Sequence, residues 1–127
     1  MTAQFLRSLG AVVTLSVGLS AQTSNPIVAG SKANHDMVRG YVTQAAEQFP
    51  EDQYGFKPTP DVRSFGQLVG HIANANYMIC GAATGAKGPG TDIEKTATTK
   101  AALQKALAES FAFCDKAYGS MTDAQVG

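Results

Sequence analysis

The sequence predicts an all-α fold, an up-down helical bundle with three helices present in this chain. Three observations predict it. Apolar residues recur at helical spacing in three separate stretches beyond residue 25. Alanine is plentiful and long β-branched runs are scarce after residue 45. A helix-start signal stands before each stretch: Asn25-Pro26, Ser64 with Gln67, and Thr98 or Thr99.

The first helix is expected to open at Asn25, a good N-cap, with Pro26 at its first position. His35, Val38, Val42, Ala45 and Phe49 form its stripe, and Pro50 ends it. Residues 50–63 carry three prolines and a glycine and read as a long connection. Tyr54, Phe56 and Val62 are its expected apolar anchors. Ser64 and Gln67 have capping-box spacing and open the second helix. Leu68, Ile72, Ala75 and Ile79 form its stripe, with His71 beside it. Gly66 and Gly70 weaken this helix and let a neighbour approach closely. Residues 84–98 read as a second loop. The third helix has the clearest stripe: Leu103, Leu107, Ser110, Phe111, Cys114, Ala117 and Met121. Gly119-Ser120 suggests fraying, and residues 121–127 read as the start of another connection. The stripes are wide, and a fourth helix would close such a core in the usual way.

At 127 residues, with ten basic and ten acidic side chains, the chain is expected to form one domain. No basic face of the kind that releases counterions from nucleic acid is evident, so nucleic-acid binding has no support. Residues 1–21 have the layout of a signal peptide. Arg7 is the positive n-region, Leu9 to Leu19 the apolar core, and Gly18, Ser20 and Ala21 the small residues near the cleavage site. Cleavage after Ser20 fits the small-residue positions better than cleavage after Ala21, and both stay open. The run is too short for a comfortable membrane span, and no other segment is long and apolar enough to provide one. Residues 22–127 are then an exported domain, periplasmic or secreted. In an oxidising compartment Cys80 and Cys114 can form one intramolecular disulfide, worth roughly 3–4 kcal/mol. The alternative is a pair of buried thiols acting as small apolar residues.

Few residues could carry chemistry. His71 is the candidate metal ligand, placed in or along the edge of the core next to Leu68 and Ile72. One ligand does not make a site, and the plainer role is a core-edge histidine hydrogen-bonded to a neighbour. Gln67 and Asn74 share its face but are poor zinc ligands. Cys80, nine residues on, faces about half a turn away. A Cys114–His71 pair stays open. His35 lies on the first stripe, where a satisfied polar role is again expected. Gly85 to Gly90 lacks the Lys-Ser/Thr ending of a phosphate loop. Asp61, Asp92 and Glu94 are expected to be solvated loop residues.

The stretch Phe56-Lys-Pro-Thr-Pro-Asp-Val-Arg-Ser-Phe-Gly-Gln-Leu-Val-Gly-His-Ile-Ala-Asn-Ala-Asn-Tyr77 resembles the signature of DinB-like proteins. Ala45 to Tyr54 and Ser110 to Asp115 fit as well, and the likeness covers about residues 30–127. The resemblance implies a four-helix bundle, often dimeric, with a divalent metal held by three side chains. Some relatives are thiol-dependent transferases or isomerases, and others resemble metal-dependent hydrolases. Of the family's metal triad only the second-helix histidine maps here, onto His71. The other two ligands normally come from a His-x-x-x-His-like pair on the fourth helix, and the chain is expected to stop short of that helix. On this expectation zinc or nickel belongs to the complete protein and is not held tightly by this chain.

Two functions from different classes follow. One is an exported metal-dependent enzyme acting on an unidentified small molecule. The other is an exported, non-catalytic helical module for binding or assembly.

Overall fold

The computed structural model describes residues 24–126, and the signal-peptide assignment of residues 1–21 lies outside them. Helix α1 runs Pro26–Gln48, α2 Phe65–Thr84, α3 Ile93–Thr96, α4 Lys100–Ser120 and α5 Asp123–Val126, with a single 3-10 turn at Glu51–Gln53. No strand occurs among the described residues. No helix there is long and apolar enough to cross a membrane.

The helix starts follow side-chain chemistry. At α2 the Ser64 hydroxyl accepts from the Gln67 N–H at 3.2 Å, and the Gln67 amide oxygen accepts from the Ser64 N–H at 2.9 Å. Gly85, with φ 74, closes α2 in the left-handed conformation that glycine adopts without strain. Thr99, of the two candidate threonines, caps α4 by accepting from the Ala102 N–H at 3.2 Å. At α1 the expected cap fails. Asn25 makes no side-chain bond into the helix. The Asp123 carboxylate, from the far end of the chain, accepts from the N–H groups of Ile27 and Val28 at 3.0 and 2.9 Å. Asn25 instead accepts from the Asp123 N–H at 3.0 Å. A carboxylate is the stronger acceptor and complements the helix dipole, so it displaces the local amide.

Helix α4 is central, with α1 on one side and α2 on the other. Arg39 meets Asp115 while Ala46 meets Gln104, so α1 and α4 are antiparallel. Gly66 lies against Leu103, Asn76 bonds Ser110, and Cys80 is joined to Cys114, so α2 and α4 run the same way. The bundle is therefore up-down for α1 and α2, and α4 repeats the direction of α2. Parallel helices need a long return. A 20-residue helix is about 30 Å long, and fifteen residues between α2 and α4 span that easily. The returning segment lies on α2. A Cβ at Gly81 would stand 2.7 Å from the Ala86 carbonyl oxygen, and one at Gly70 would stand 2.7 Å from Glu94 Cα. The expected loop 84–98 thus contains α3 and is packed along its length.

The core gathers Ala46, Tyr54, Val69, Ala73, Ile93, Leu103, Leu107 and Phe111. A smaller cluster holds Cys80, Cys114 and Ala117. The α4 stripe is buried as expected from Leu103 to Ala117, with Met121 half-buried. The other two stripes are rotated. On α1 the inward positions are Val28, His35, Arg39, Val42, Ala46 and Phe49, while Val38 and Ala45 are exposed. On α2 the inward residues are small: Gly66, Val69, Gly70, Ala73, Cys80 and Gly81. Leu68 and Ile79 are 46% and 61% exposed. The reason is that α1 and α2 scarcely touch each other beyond the stacked rings of Phe49 and Phe65, 3.8 Å apart. Of the large apolar residues of the expected stripes, Val42, Phe49 and Ile72 pack against the core, while Val38, Leu68 and Ile79 are exposed. Of the three expected loop anchors only Tyr54 is buried, its hydroxyl donating to the Ala46 carbonyl. Phe56 and Val62 are exposed.

Cys80 and Cys114 are bonded, with their Cα atoms 5.3 Å apart and 34 residues between them in sequence. The Cys80→Ala/Cys114→Ala variant is expected to lose roughly 3–4 kcal/mol, read from urea unfolding. A loss below about 1 kcal/mol would mean that the cross-link does not constrain the unfolded chain.

Candidate functional site

His71 does not sit at the core edge. Val69, Gly70 and Ala73 take the inward positions of α2, and the His71 ring points outward, 48% exposed, beside the return segment. There it meets α3. Its Nδ1 lies 3.2 Å from Glu94 Oε2. The second Glu94 oxygen, Oε1, accepts from Arg63 Nε at 2.7 Å. The result is a chain Arg63–Glu94–His71 drawn from the loop before α2, from α3 and from α2.

The Glu94 carboxyl is held below the usual carboxylate range, first by the hydrogen bond from Arg63, against a smaller opposing effect of burial, and further by Arg63 charge and His71. An ionised carboxylate can only accept. The His71 nitrogen facing it must therefore carry hydrogen. In the neutral ring this leaves Nε2 with its lone pair free, and Nε2 has no protein partner among the described residues. Glu94 itself is 18% exposed, but Arg63 and His71 are about half open to water, so the chain is screened.

Beside this chain lies an open groove of about 1000 Å³. Phe49, Phe56, Val62, Phe65 and Leu68 supply its apolar surface, and Arg63 and Glu94 are among its polar walls. Phe56 and Val62, expected to anchor the loop, thus line a concavity instead.

The second histidine has the opposite environment. His35 is 14% exposed, edge-on to Phe111 at 5.4 Å and tilted to Tyr118 at 5.1 Å. Neither ring nitrogen has a hydrogen-bond partner, contrary to the satisfied role expected for it. Asp36 Oδ1 is 3.8 Å from Nδ1, too far for a hydrogen bond. His35, Asp36 and Asp115 nevertheless bring three potential ligand atoms within 4.8 Å of one another. Their chemistry does not fit a metal. Lys32 Nζ lies 2.7 Å from Asp36 and 3.2 Å from Asp115, and Arg39 donates to Asp115 at 2.7 Å. Two carboxylates already face two cations, and a dication would have to compete with both. The cluster is a charge lock between α1 and α4.

At His71 the fit is partial. It offers one imidazole nitrogen. Glu94 is engaged by Arg63, and Asn74 is engaged by Asp92 and the Ile93 N–H, at 2.8 and 3.0 Å. No group of three ligand atoms forms around it among the described residues. A Cys–His nucleophile is not assembled either, because Cys114 is bonded to Cys80. Glu94 and Asp92, expected to be solvated, instead hold partners on α2. The sequence signal for this is slight: Gly70, His71 and Asn74 place a bare backbone, an imidazole and an amide on one face of α2.

These features define a class: an all-α bundle with one outward imidazole backed by a carboxylate. A family model described as the DinB superfamily matches residues 34–127, and the chain belongs to that superfamily. Neither a curated protein nor a solved structure matches the chain at a significant level.

Two outcomes are expected. Removing the unpartnered polar ring with His35→Leu should leave stability within about 1 kcal/mol of the parent or raise it, because both orphaned nitrogens go with it. A loss above about 3 kcal/mol in thermal unfolding would show that His35 has a partner after all. The second concerns acid. Glu94, Asp92 and Asp36 all sit below their ordinary values, owing first to Arg63, Lys95 and Lys32 respectively. A depressed carboxyl stabilises the fold above its unfolded-state value, and that stability is lost as pH falls through the folded-state value. The urea midpoint should therefore be level from about pH 7 to pH 5 and fall below about pH 4, with a shallower fall in high salt. A midpoint that rises on acidification would contradict these pairings.

Proposed function

We propose that this chain is an exported domain of the DinB superfamily whose working group is His71, a ligand for a divalent metal, zinc or nickel, in an enzyme acting on a small molecule. One observation carries the metal assignment. A ligating imidazole almost always donates its other nitrogen to a carboxylate or carbonyl, and Glu94 stands in that place behind His71. A metal held there by His71 would supply Lewis acidity and a more acidic bound water. The apolar groove beside Arg63 and Glu94 suits a substrate with an apolar body. Export is supported by the signal-peptide layout of residues 1–21 and by the Cys80–Cys114 pairing, which persists in oxidising compartments.

A second function, a non-catalytic binding module, is favoured by a different observation. The described residues bring only one metal-competent nitrogen to the site, while the groove is large and mostly apolar.

The full chain should be expressed with its N-terminus intact and recovered from the bacterial periplasm. Mass spectrometry is expected to find it beginning at Ala21 or Gln22. Titration with zinc and nickel should then give one weak site, with affinity reduced at least about tenfold in His71→Ala. An uncleaved cytoplasmic product would overturn export. Metal binding unchanged by His71→Ala would overturn the metal assignment and leave the binding module.

A further inference from the structure

We infer that Glu94 is a positioning residue for His71: it fixes the ring with hydrogen on Nδ1 and the Nε2 lone pair facing outward. This rests on the proposed role of His71 only for its purpose, since the geometry stands without a metal.

Four features converge on this one contact. First, α3 can reach His71 only because residue 70 lacks a side chain. A Cβ there would lie 2.7 Å from Glu94 Cα, a distance that Cβ atoms essentially never show, and 3.0 Å from Glu94 N. Second, α3 is too short to hold itself in place, and Ile93 anchors it by burial in the core. Third, Asn74 fixes its start. The amide oxygen accepts from the Ile93 N–H and the amide nitrogen donates to Asp92 Oδ1. Fourth, Arg63 occupies Oε1 and orients the carboxylate so that Oε2 meets the ring. A solvated surface glutamate needs none of these. Together they place one carboxylate oxygen within hydrogen-bond distance of one imidazole nitrogen.

The chemical consequence is a choice of tautomer. Neutral histidine in water favours hydrogen on Nε2. The Glu94 carboxylate accepts and cannot donate, so it selects the other tautomer. The atom presented outward is then a base or ligand rather than a donor.

Nitrogen NMR of the histidine-labelled full chain at about pH 8, above the ordinary titration range of histidine, reads the tautomer directly. His71 is expected with hydrogen on Nδ1. In Glu94→Ala the population should swing towards hydrogen on Nε2, with the Ile93 methyl signals still in their core positions. Arg63→Met, which leaves the carboxylate, should keep the parent tautomer. A parent His71 with hydrogen on Nε2, or no swing in Glu94→Ala, would overturn the inference. If Glu94→Ala displaces the Ile93 signals, Glu94→Gln, which keeps the shape of the side chain, decides in its place. An unchanged tautomer population and unchanged ring dynamics there would count against the inference, and a changed mixture would support it. No metal enters these measurements, so a tautomer swing without metal binding supports the inference and counts only against the metal assignment. Where metal binds, Glu94→Ala should weaken it about tenfold.

Discussion

The close seat of α2 on α4 is the contact on which the rest of the molecule depends. Phe111, Leu107, Cys114 and Ser110 of α4 are fully buried, and α2 brings Val69, Ala73 and Cys80 into the same clusters, with Gly66 against Leu103. Small residues let two parallel helices approach, and interior packing density then leaves little room for adjustment. The polar groups in this seam are satisfied: Asn76 donates to Ser110 Oγ at 3.0 Å, and Ser110 donates to the Leu107 carbonyl at 2.8 Å. The disulfide ties the same seam near its end. The parallel direction of the two helices in turn requires the return segment, and the return segment carries Glu94.

Parts of this were legible in the sequence for plain reasons. Ser64 with Gln67, Thr99 and Pro50 act within a few residues of themselves, so their chemistry can be read locally. The α4 stripe was legible because that helix is covered by neighbours on two sides, and its apolar residues coincide with its buried ones. On α1 and α2 the coincidence breaks down. Burial there follows backbone approach and charge pairing, through Gly70, Ala73 and Arg39. The large apolar residues Val38, Leu68 and Ile79 are left exposed instead. A hydrophobic pattern locates apolar side chains, and it locates the core only where something covers them all.

The candidate site was less legible because its parts are remote. Glu94 lies 23 residues from His71 in sequence, and Asp123 lies 96 residues from the Ile27 N–H it accepts from. Neither pairing has periodicity or local spacing to announce it. The Glu94 contact depends on a one-turn helix that has no stability of its own and appears only when Ile93 finds the core. A carboxylate in a Gly- and Thr-rich stretch reads as solvated until the fold is known.

The two histidines show how environment divides one residue type into different roles. His35 is packed between Phe111 and Tyr118, and the carboxylates near it are held by Lys32 and Arg39. Nothing there fixes a proton on either ring nitrogen. His71 is half exposed, yet its ring is the more constrained in chemistry, because one nitrogen is committed to Glu94 and the other is left free. Burial protects a side chain, whereas a single ionised acceptor on one nitrogen determines what the other can do. The proximity of His35, Asp36 and Asp115 satisfies a distance criterion for a metal and fails the charge criterion. His71 lacks companion ligands and meets the criterion of orientation. Orientation is what the packing around Gly70, Asn74 and Ile93 builds, and it separates the environment of His71 from that of His35.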